Sequence, residues 1–328
     1  MRRKWLSCVD RTRGGLVIRV LQFNILADSL ADGAENSGQA LPAAHLCETG
    51  AAGCHYHFQA ESPCHTFRTS KLNLDWEYRK PQILEILRQA NADLICLQEV
   101  DCFGDLKAAL QSCGFQGSFC KKSWRKIKDG SAVFWRQKLL TLVDRMALRV
   151  LPGSAMTALF LRLATCDGKH VVVCATHLKA GFSVEMEEHR LAQALALQKH
   201  LQKFVGDTDD TPIILAADLN AHHSPYALCT AAVCNDPRAV VEPKAIRAFL
   251  DGGFQSAYPK FPSFTAWSGW LDRDVKANLD YILLKGPVHT LGVLEGPDEQ
   301  AVSHCAELLP NEHWPSDHIH LLADVEVF

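Results

Sequence analysis

Hydrophobic and polar positions in this chain follow two kinds of spacing. Short, mostly apolar runs bounded by polar residues recur at 16–23, 93–97, 132–135, 156–163, 171–175, 212–216, 279–284 and 319–325. Runs of this length predict buried strands. Between them, Ile83, Leu84, Ile86 and Leu87 fall on one face of a helix that Asp75 can cap and that reaches about Ala90. Pro81 marks either the start of that helix or a kink in it. Leu191, Leu195, Leu201 and Phe204 lie near one face of a second helix over 184–204. No unit repeats at a solenoid period. Strands alternating with helices predict an α/β (α+β) domain.

The expected division is a basic tail at 1–15, then one domain at 16–328 with an insertion loop at about 28–74. The tail carries Arg2, Arg3, Lys4, Arg11 and Arg13 against Asp10 alone. The loop is rich in Ala, Gly, Ser, His and Cys. Its Cys47, Cys54, His55, His57, Cys64 and His65 match no paired Cys-x₂-Cys spacing, so a variable loop is expected rather than a zinc site. A net charge of −3 argues against a protein that coats nucleic acid by charge alone, although it leaves room for a local basic site. No run of 18 apolar residues exists, so no transmembrane helix is expected. Thirteen cysteines, an odd number, suggest reduced thiols and hence a cytoplasmic or nuclear protein, with a mitochondrial address in the basic first residues as the other reading. A monomer is expected.

Polar residues of catalytic type recur where the predicted strands start or end. Glu99 follows the run at 93–97, and Asp218 and Asn220 follow the run at 212–216. Asn24 closes the first run, and Asp280 opens the run at 279–284. Carboxylates leaving core strands are costly unless paired, hydrogen-bonded or bound to a cation. One such acid is ordinarily structural; five such groups rarely serve packing alone. His177 and His318 stand at comparable places, beside Thr176 and Ser316-Asp317. Two imidazoles among acids and amides suit the stabilisation of a pentavalent phosphate, which needs donors around its oxygens.

The ordered set Gln22-Phe23-Asn24-Ile25-Leu26-Ala27, Leu97-Gln98-Glu99-Val100-Asp101, Ala175-Thr176-His177-Leu178-Lys179-Ala180, Asp218-Leu219-Asn220-Ala221, Asn278-Leu279-Asp280-Tyr281-Ile282 and Pro315-Ser316-Asp317-His318 resembles the endonuclease/exonuclease/phosphatase superfamily. Trp76-Glu77-Tyr78-Arg79-Lys80, Lys179, Glu188, Arg190, Ala192 and Gln193 look like its deadenylase-type branch. The resemblance implies a four-layer αββα sandwich with the cleft at one end. It implies Mg²⁺ as cofactor, with Glu99 as ligand supported by Asn24. Asp218 would take a proton from water, and Asn220 would orient that water or a phosphate oxygen. His177 and His318 would hold the non-bridging oxygens, and Asp280 would fix the ring of His318. Lys122 and Lys179 are the implied substrate contacts.

The implied reaction is removal of the 2′-phosphate from NADP⁺ and NADPH, a dinucleotide phosphate substrate. The alternative is 3′-exoribonuclease action on the poly(A) end of RNA, and a third reading is an inactive scaffold. Some positions depart from the pattern. Gly181 stands where an arginine is expected, His222 where an acid is expected, and Ser154 near a missing asparagine, while Lys276 takes the place of a basic residue before the Asp280 motif. These departures bear on substrate choice rather than on hydrolysis. Lys121, Lys122, Arg125, Lys126 and Lys128 surround Trp124. Such a segment reads as a solvated loop or as a grip on a dinucleotide or RNA end.

Overall fold

The apolar runs become the inner strands of two sheets. The structure, a computed structural model, describes residues 3–9, 14–31, 67–206, 210–227, 240–270 and 274–328. In chain order the first elements are β1 (Trp5–Ser7), β2 (Leu16–Asn24), α1 (Asp28–Ala31), α2 (Lys71–Leu74), α3 (Trp76–Ala90), β3 (Leu94–Gln98) and α4 (Phe103–Ser112). Then come β4 (Phe115–Lys121), β5 (Gly130–Arg136), β6 (Leu140–Arg149), β7 (Thr157–Thr165), β8 (His170–His177), α5 (Val184–Val205) and β9 (Ile213–Asp218). Four short elements follow: β10 (Tyr226–Ala227), β11 (Val240–Val241), α6 (Lys244–Asp251) and β12 (Gln255–Ser256). The last are β13 (Ala266–Gly269), β14 (Asp274–Ala277), β15 (Asp280–Lys285), β16 (Val288–Leu294), α7 (Glu299–Ser303) and β17 (Leu321–Val327).

One sheet has the order β1-β16-β17-β2-β3-β5-β4 and the other β12-β15-β9-β8-β7-β6. Alternate residues of each inner strand face the opposite sheet, so Ile18, Val20, Leu94, Cys96 and Val133 pack with Leu159, Leu161, Val173, Ile214 and Ile282. The outer face of the first sheet is covered by α3 and α4 through Ile83, Leu87, Leu106 and Leu110. The outer face of the second is covered by α5 and α6 through Ala194, Leu197, Leu201, Ile246 and Phe249. The result is a four-layer αββα sandwich of the endonuclease/exonuclease/phosphatase type. Parallel pairing is confined to β2 with β3 and β8 with β9 among the main-sheet strands. Because parallel neighbours end at the same edge, each pair sends two chain segments out together.

Some elements differ from the sequence expectations. Within the expected tail, Trp5–Ser7 pairs antiparallel with β16 as an edge strand, and Arg3 Nε donates to the Glu295 carbonyl at 2.7 Å. The expected loop at 28–74 begins and ends in the helical turns α1 and α2, and Phe67 bridges to Trp270. Its residues 32–66, with all six Cys and His positions named above, lie outside the described residues. Pro81 neither starts nor ends α3; the helix begins at Trp76, where the Asp75 carboxylate accepts from the Tyr78 N–H at 3.1 Å. Such a cap contributes about 1 kcal/mol. Among the described residues, no helix is long and apolar enough to cross a membrane.

Candidate active site

The ends of both parallel pairs and the start of β15 meet at one end of the sandwich. Asn24 closes β2 in register with Gln98, the residue before Glu99. His177 and Asp218 close β8 and β9 as register partners. β15 runs antiparallel to β9, so its first residue, Asp280, pairs with Asp218. His318 lies just before β17 and bridges to Ala266.

Asp218 is the hub. Its Oδ2 accepts from Asn24 Nδ2 at 2.9 Å, and its Oδ1 accepts from the Asn220 backbone N–H at 2.9 Å. His177 Nε2 lies 3.5 Å from the same Oδ2, and His318 Nε2 lies 3.8 Å from it. Asn24 Nδ2 also reaches Glu99 Oε1 at 3.1 Å, while the Ala27 N–H donates to Glu99 Oε2 at 3.2 Å. His318 Nδ1 and Asp280 Oδ2 are 2.7 Å apart. Asn24 thus presents an amide N–H to both acids and orients them.

The two histidines hold opposite charge states. Asn220 Nδ2 donates to the Leu178 carbonyl at 3.1 Å and to His177 Nε2 at 2.8 Å. This fixes the amide and leaves the ring proton of His177 on Nδ1, which has no hydrogen-bond partner. Burial, aided by Lys122, His318 and Lys179, holds His177 well below its usual pKa, so it is neutral. Burial also opposes charge on His318, but Asp280, Asp317 and Asp218 outweigh it and raise its pKa well above the usual value. Burial and then Asp280 push the Asp218 carboxyl up to about 7, against the pull of His318, Asn24 and the Asn220 N–H. Pairs whose environments drive their protonation apart are the signature of assigned acid and base roles.

Backbone strain collects at the same place. Leu26, Glu99 and Asn220 all adopt positive φ, at 57°, 56° and 49°. Non-glycine residues persist in this region when their surroundings over-determine them. Here the side chains of Glu99 and Asn220 are anchored on both sides, and the Leu26 N–H donates to Asn24 Oδ1 at 3.1 Å.

Several supporting residues carried no role in the sequence reading. Gln22 Nε2 donates to Gln98 Oε1 and to Asp280 Oδ1, both at 2.7 Å, and Gln98 Nε2 donates to the Ala216 carbonyl at 3.2 Å. These bonds tie the two sheets together at the cleft end. Arg79 Nη1 donates to the carbonyls of Ile25 and Leu26 at 2.9 Å and of Pro315 at 3.2 Å. It clamps the turn after Asn24 to the segment carrying His318. Ser316 Oγ adds a bond to the Asn24 carbonyl at 2.7 Å. The signal for Gln22 was present as a glutamine inside an apolar strand; Arg79 gave none beyond its place in Trp76-Glu77-Tyr78-Arg79-Lys80.

Lys122 is buried and paired with Asp129 at 2.6 Å, close enough to Glu99 and His177 to bias both. Lys121, Trp124, Arg125, Lys126 and Lys128 on the same loop are exposed. Lys179 is half-buried, and its backbone N–H donates to Gln193 Oε1 at 3.0 Å. Ser154 Oγ accepts from Gln193 Nε2 at 3.1 Å, and Lys276 pairs with Glu299 at 2.6 Å over the Trp267 ring.

The donor set suits a hard cation. Among the described residues, Asp218, Asp280 and His318 bring ligand atoms within 4.8 Å of one another, a set able to hold a divalent metal once His318 gives up its proton. Glu99 offers a second position. Burial raises its carboxyl pKa, Asp129 and Asp317 add to that, and Lys122 and His318 oppose it. A buried carboxylate among other acids is relieved by a divalent cation, and Mg²⁺ accepts such oxygen donors together with waters.

A sequence profile of the Endonuclease/Exonuclease/phosphatase family matches residues 22–318, from the first site strand to the last site histidine. The chain belongs to this family. Nocturnin of Rattus norvegicus is 28% identical over 330 residues, covering 94% of this chain and 65% of its own length. Human nocturnin is 28% identical over 333 residues, covering 94% of this chain and 64% of its own length. This family member thus spans just under two thirds of those relatives. Among solved structures, ANGEL2, described as a 2′,3′-cyclic phosphatase in complex with adenosine-2′,3′-vanadate, superposes with a TM-score of 0.73 at 19% identity, covering 100% of this chain and 99% of that one. The human nocturnin catalytic domain with bound sulfate superposes with a TM-score of 0.67 at 24% identity, covering 100% and 97%. Both carry the same sandwich.

Proposed function

We propose that this protein is a magnesium-dependent hydrolase of ribose phosphate esters at the 3′ end of RNA. The reading rests on one observation: Asn24, His177 and His318 stand 2.9, 3.5 and 3.8 Å from a single Asp218 oxygen. A base, an amide and two imidazoles of opposite charge state then face one reacting centre. Asp218, with its pKa near neutrality, accepts the proton of the attacking water. Asn220 and the Nδ1–H of His177 position oxygens around phosphorus. His318, held as an imidazolium by Asp280, donates to the charge that develops there. Glu99 is the residue to hold the magnesium ion, with Asn24 orienting it; when bound, the ion neutralises phosphate charge.

RNA is favoured by the exposed Trp124, which stands among Lys121, Arg125, Lys126 and Lys128 on the loop that carries Lys122. An aromatic ring among cations suits a single strand. The adenosine-2′,3′-vanadate bound by ANGEL2 is a ligand of the same kind. A second reading, hydrolysis of the 2′-phosphate of NADP⁺ and NADPH, is favoured by Lys179, a half-buried ammonium close enough to Lys122 to be depressed by it after burial. Two neighbouring cations suit a dianionic phosphomonoester.

The test is a substrate comparison with magnesium and with chelator. Poly(A) RNA, RNA ending in a 2′,3′-cyclic phosphate and NADPH are incubated with the purified protein. Magnesium-dependent turnover of either RNA supports the proposal. Phosphate release from NADPH alone replaces it with the second reading.

A further inference from the structure

Beyond the catalytic groups, β8 and β9 continue into a wall of rings. After His177 the chain passes Lys179 and Gly181 to Phe182; after Asn220 it passes His222 and His223 to Tyr226. The His222 and Tyr226 rings stack with centroids 3.8 Å apart and an interplanar angle of 22°. Phe182 stands edge-on to both, 5.9 Å from His222 and 6.5 Å from Tyr226. Since β8 and β9 are parallel neighbours that end at His177 and Asp218, the two loops that carry these rings leave the sheet from the same edge.

The wall is held in place by a buried network. Arg190 has no exposed side-chain surface and pairs with Glu187 at 2.7 Å. Its Nη1 donates to the carbonyls of Lys179 at 3.0 Å and Gly181 at 2.6 Å, and its Nη2 lies 3.4 Å from the Tyr226 hydroxyl. One guanidinium therefore fixes both loops. Gly181 sits at φ 128°, a conformation open to glycine, which lets the chain turn to present Phe182. Phe182, His222 and Tyr226 are each only partly buried, so the rings reach the surface.

The wall is also uncharged. Burial, then Arg190 and His223, lowers the His222 pKa to about 4, so its ring is neutral at pH 7. Neutral rings give a phosphate little to bind, whereas a flat π system gains from stacking on them. Lys179 lies between the catalytic centre and Phe182 in sequence and supplies the nearby cation. Phosphate and base would then rest on successive parts of the same two loops.

We propose that Phe182, His222 and Tyr226 form a nucleobase-stacking subsite that seats the base of the nucleotide whose ester is cleaved. This inference rests on the phosphoesterase reading. Two RNAs of matched length test it, one ending in adenosine and the other in an abasic ribose. Phe182→Leu and Tyr226→Leu should raise KM for the adenosine-ended RNA by about 10-fold, within the range of one lost base stack, and leave kcat within about 2-fold. KM for the abasic RNA should not move. Tyr226→Phe, which keeps the ring, should behave as wild type. If the substitutions shift both RNAs alike or neither, the subsite is overturned while the phosphoesterase reading stands. A wild-type protein that cleaves neither RNA overturns the reading of RNA as substrate and this subsite with it.

Discussion

At the scale of residues, the site works through contrasts in protonation among groups a few ångströms apart. Asp218→Asn keeps the shape of the hub and removes its basicity. Its turnover should fall about 10²- to 10⁴-fold, the usual contribution of a general base, in steady-state rates with magnesium saturating. Glu99→Gln removes one negative oxygen ligand, so the magnesium concentration for half-maximal activity should rise, as read from a metal titration. His177 gives a pH effect of definite sign. Folded, it resists protonation; unfolded, it takes a proton near pH 6.5. Between these two values the unfolded state binds more protons, so stability is lost as pH falls below about 6.5, by up to ~1.4 kcal/mol per pH unit from this group. In chelator, urea unfolding of His177→Gln should show a shallower acid limb than wild type between pH 6.5 and 5.

At the scale of elements, the pattern of apolar runs was informative wherever a strand is buried on both faces. β3, β8 and β9 are fully or almost fully buried, and each ran within a residue or two of its predicted range. β6 was not legible because it is an edge strand whose Thr141–Met146 portion is almost entirely exposed, with a bulge between Leu142 and Asp144. β1 is exposed throughout and joins the sheet by backbone pairing with β16 and by Arg19 over the Trp5 ring, which leaves no apolar pattern to read. The site residues were legible because polar groups at strand ends contrast with what precedes them. Their partners were not. Gln22 reaching Asp280 across two sheets, or Arg79 gathering carbonyls from Ile25, Leu26, Leu74 and Pro315, depends on tertiary contacts between distant segments. Arg79→Met leaves those four carbonyls without their shared donor. It should destabilise the fold by about 3 kcal/mol or more, read as a lower urea midpoint, because buried acceptors lose their partner together.

At the scale of the whole molecule, the interface between the sheets sets which thiols are chemically available. Cys96 and Cys174 lie in buried strands, and burial raises both thiol pKa values, so they stay protonated at neutral pH. Cys113 and Cys166 are exposed. A maleimide at pH 7 should label Cys113 and Cys166 in the native protein and reach Cys96 and Cys174 only after denaturation, as mapped by peptide mass spectrometry. The same closure explains why a chain with a slight negative charge can hold an anionic substrate. Three of its cations, Lys122, Lys179 and the His318 imidazolium, stand together at the cleft end.

The position of β17 makes one half of the first sheet depend on a segment far along the chain. This strand follows both β2 and β16 along the chain, yet it lies between them rather than at an edge. A growing chain on the ribosome therefore holds an open slot beside β2 until residues 321–327 emerge. Asn24 and His318 gain their final footing only then. Deletion of residues 321–327 should leave β2 and β16 without their shared neighbour and yield a catalytically silent protein.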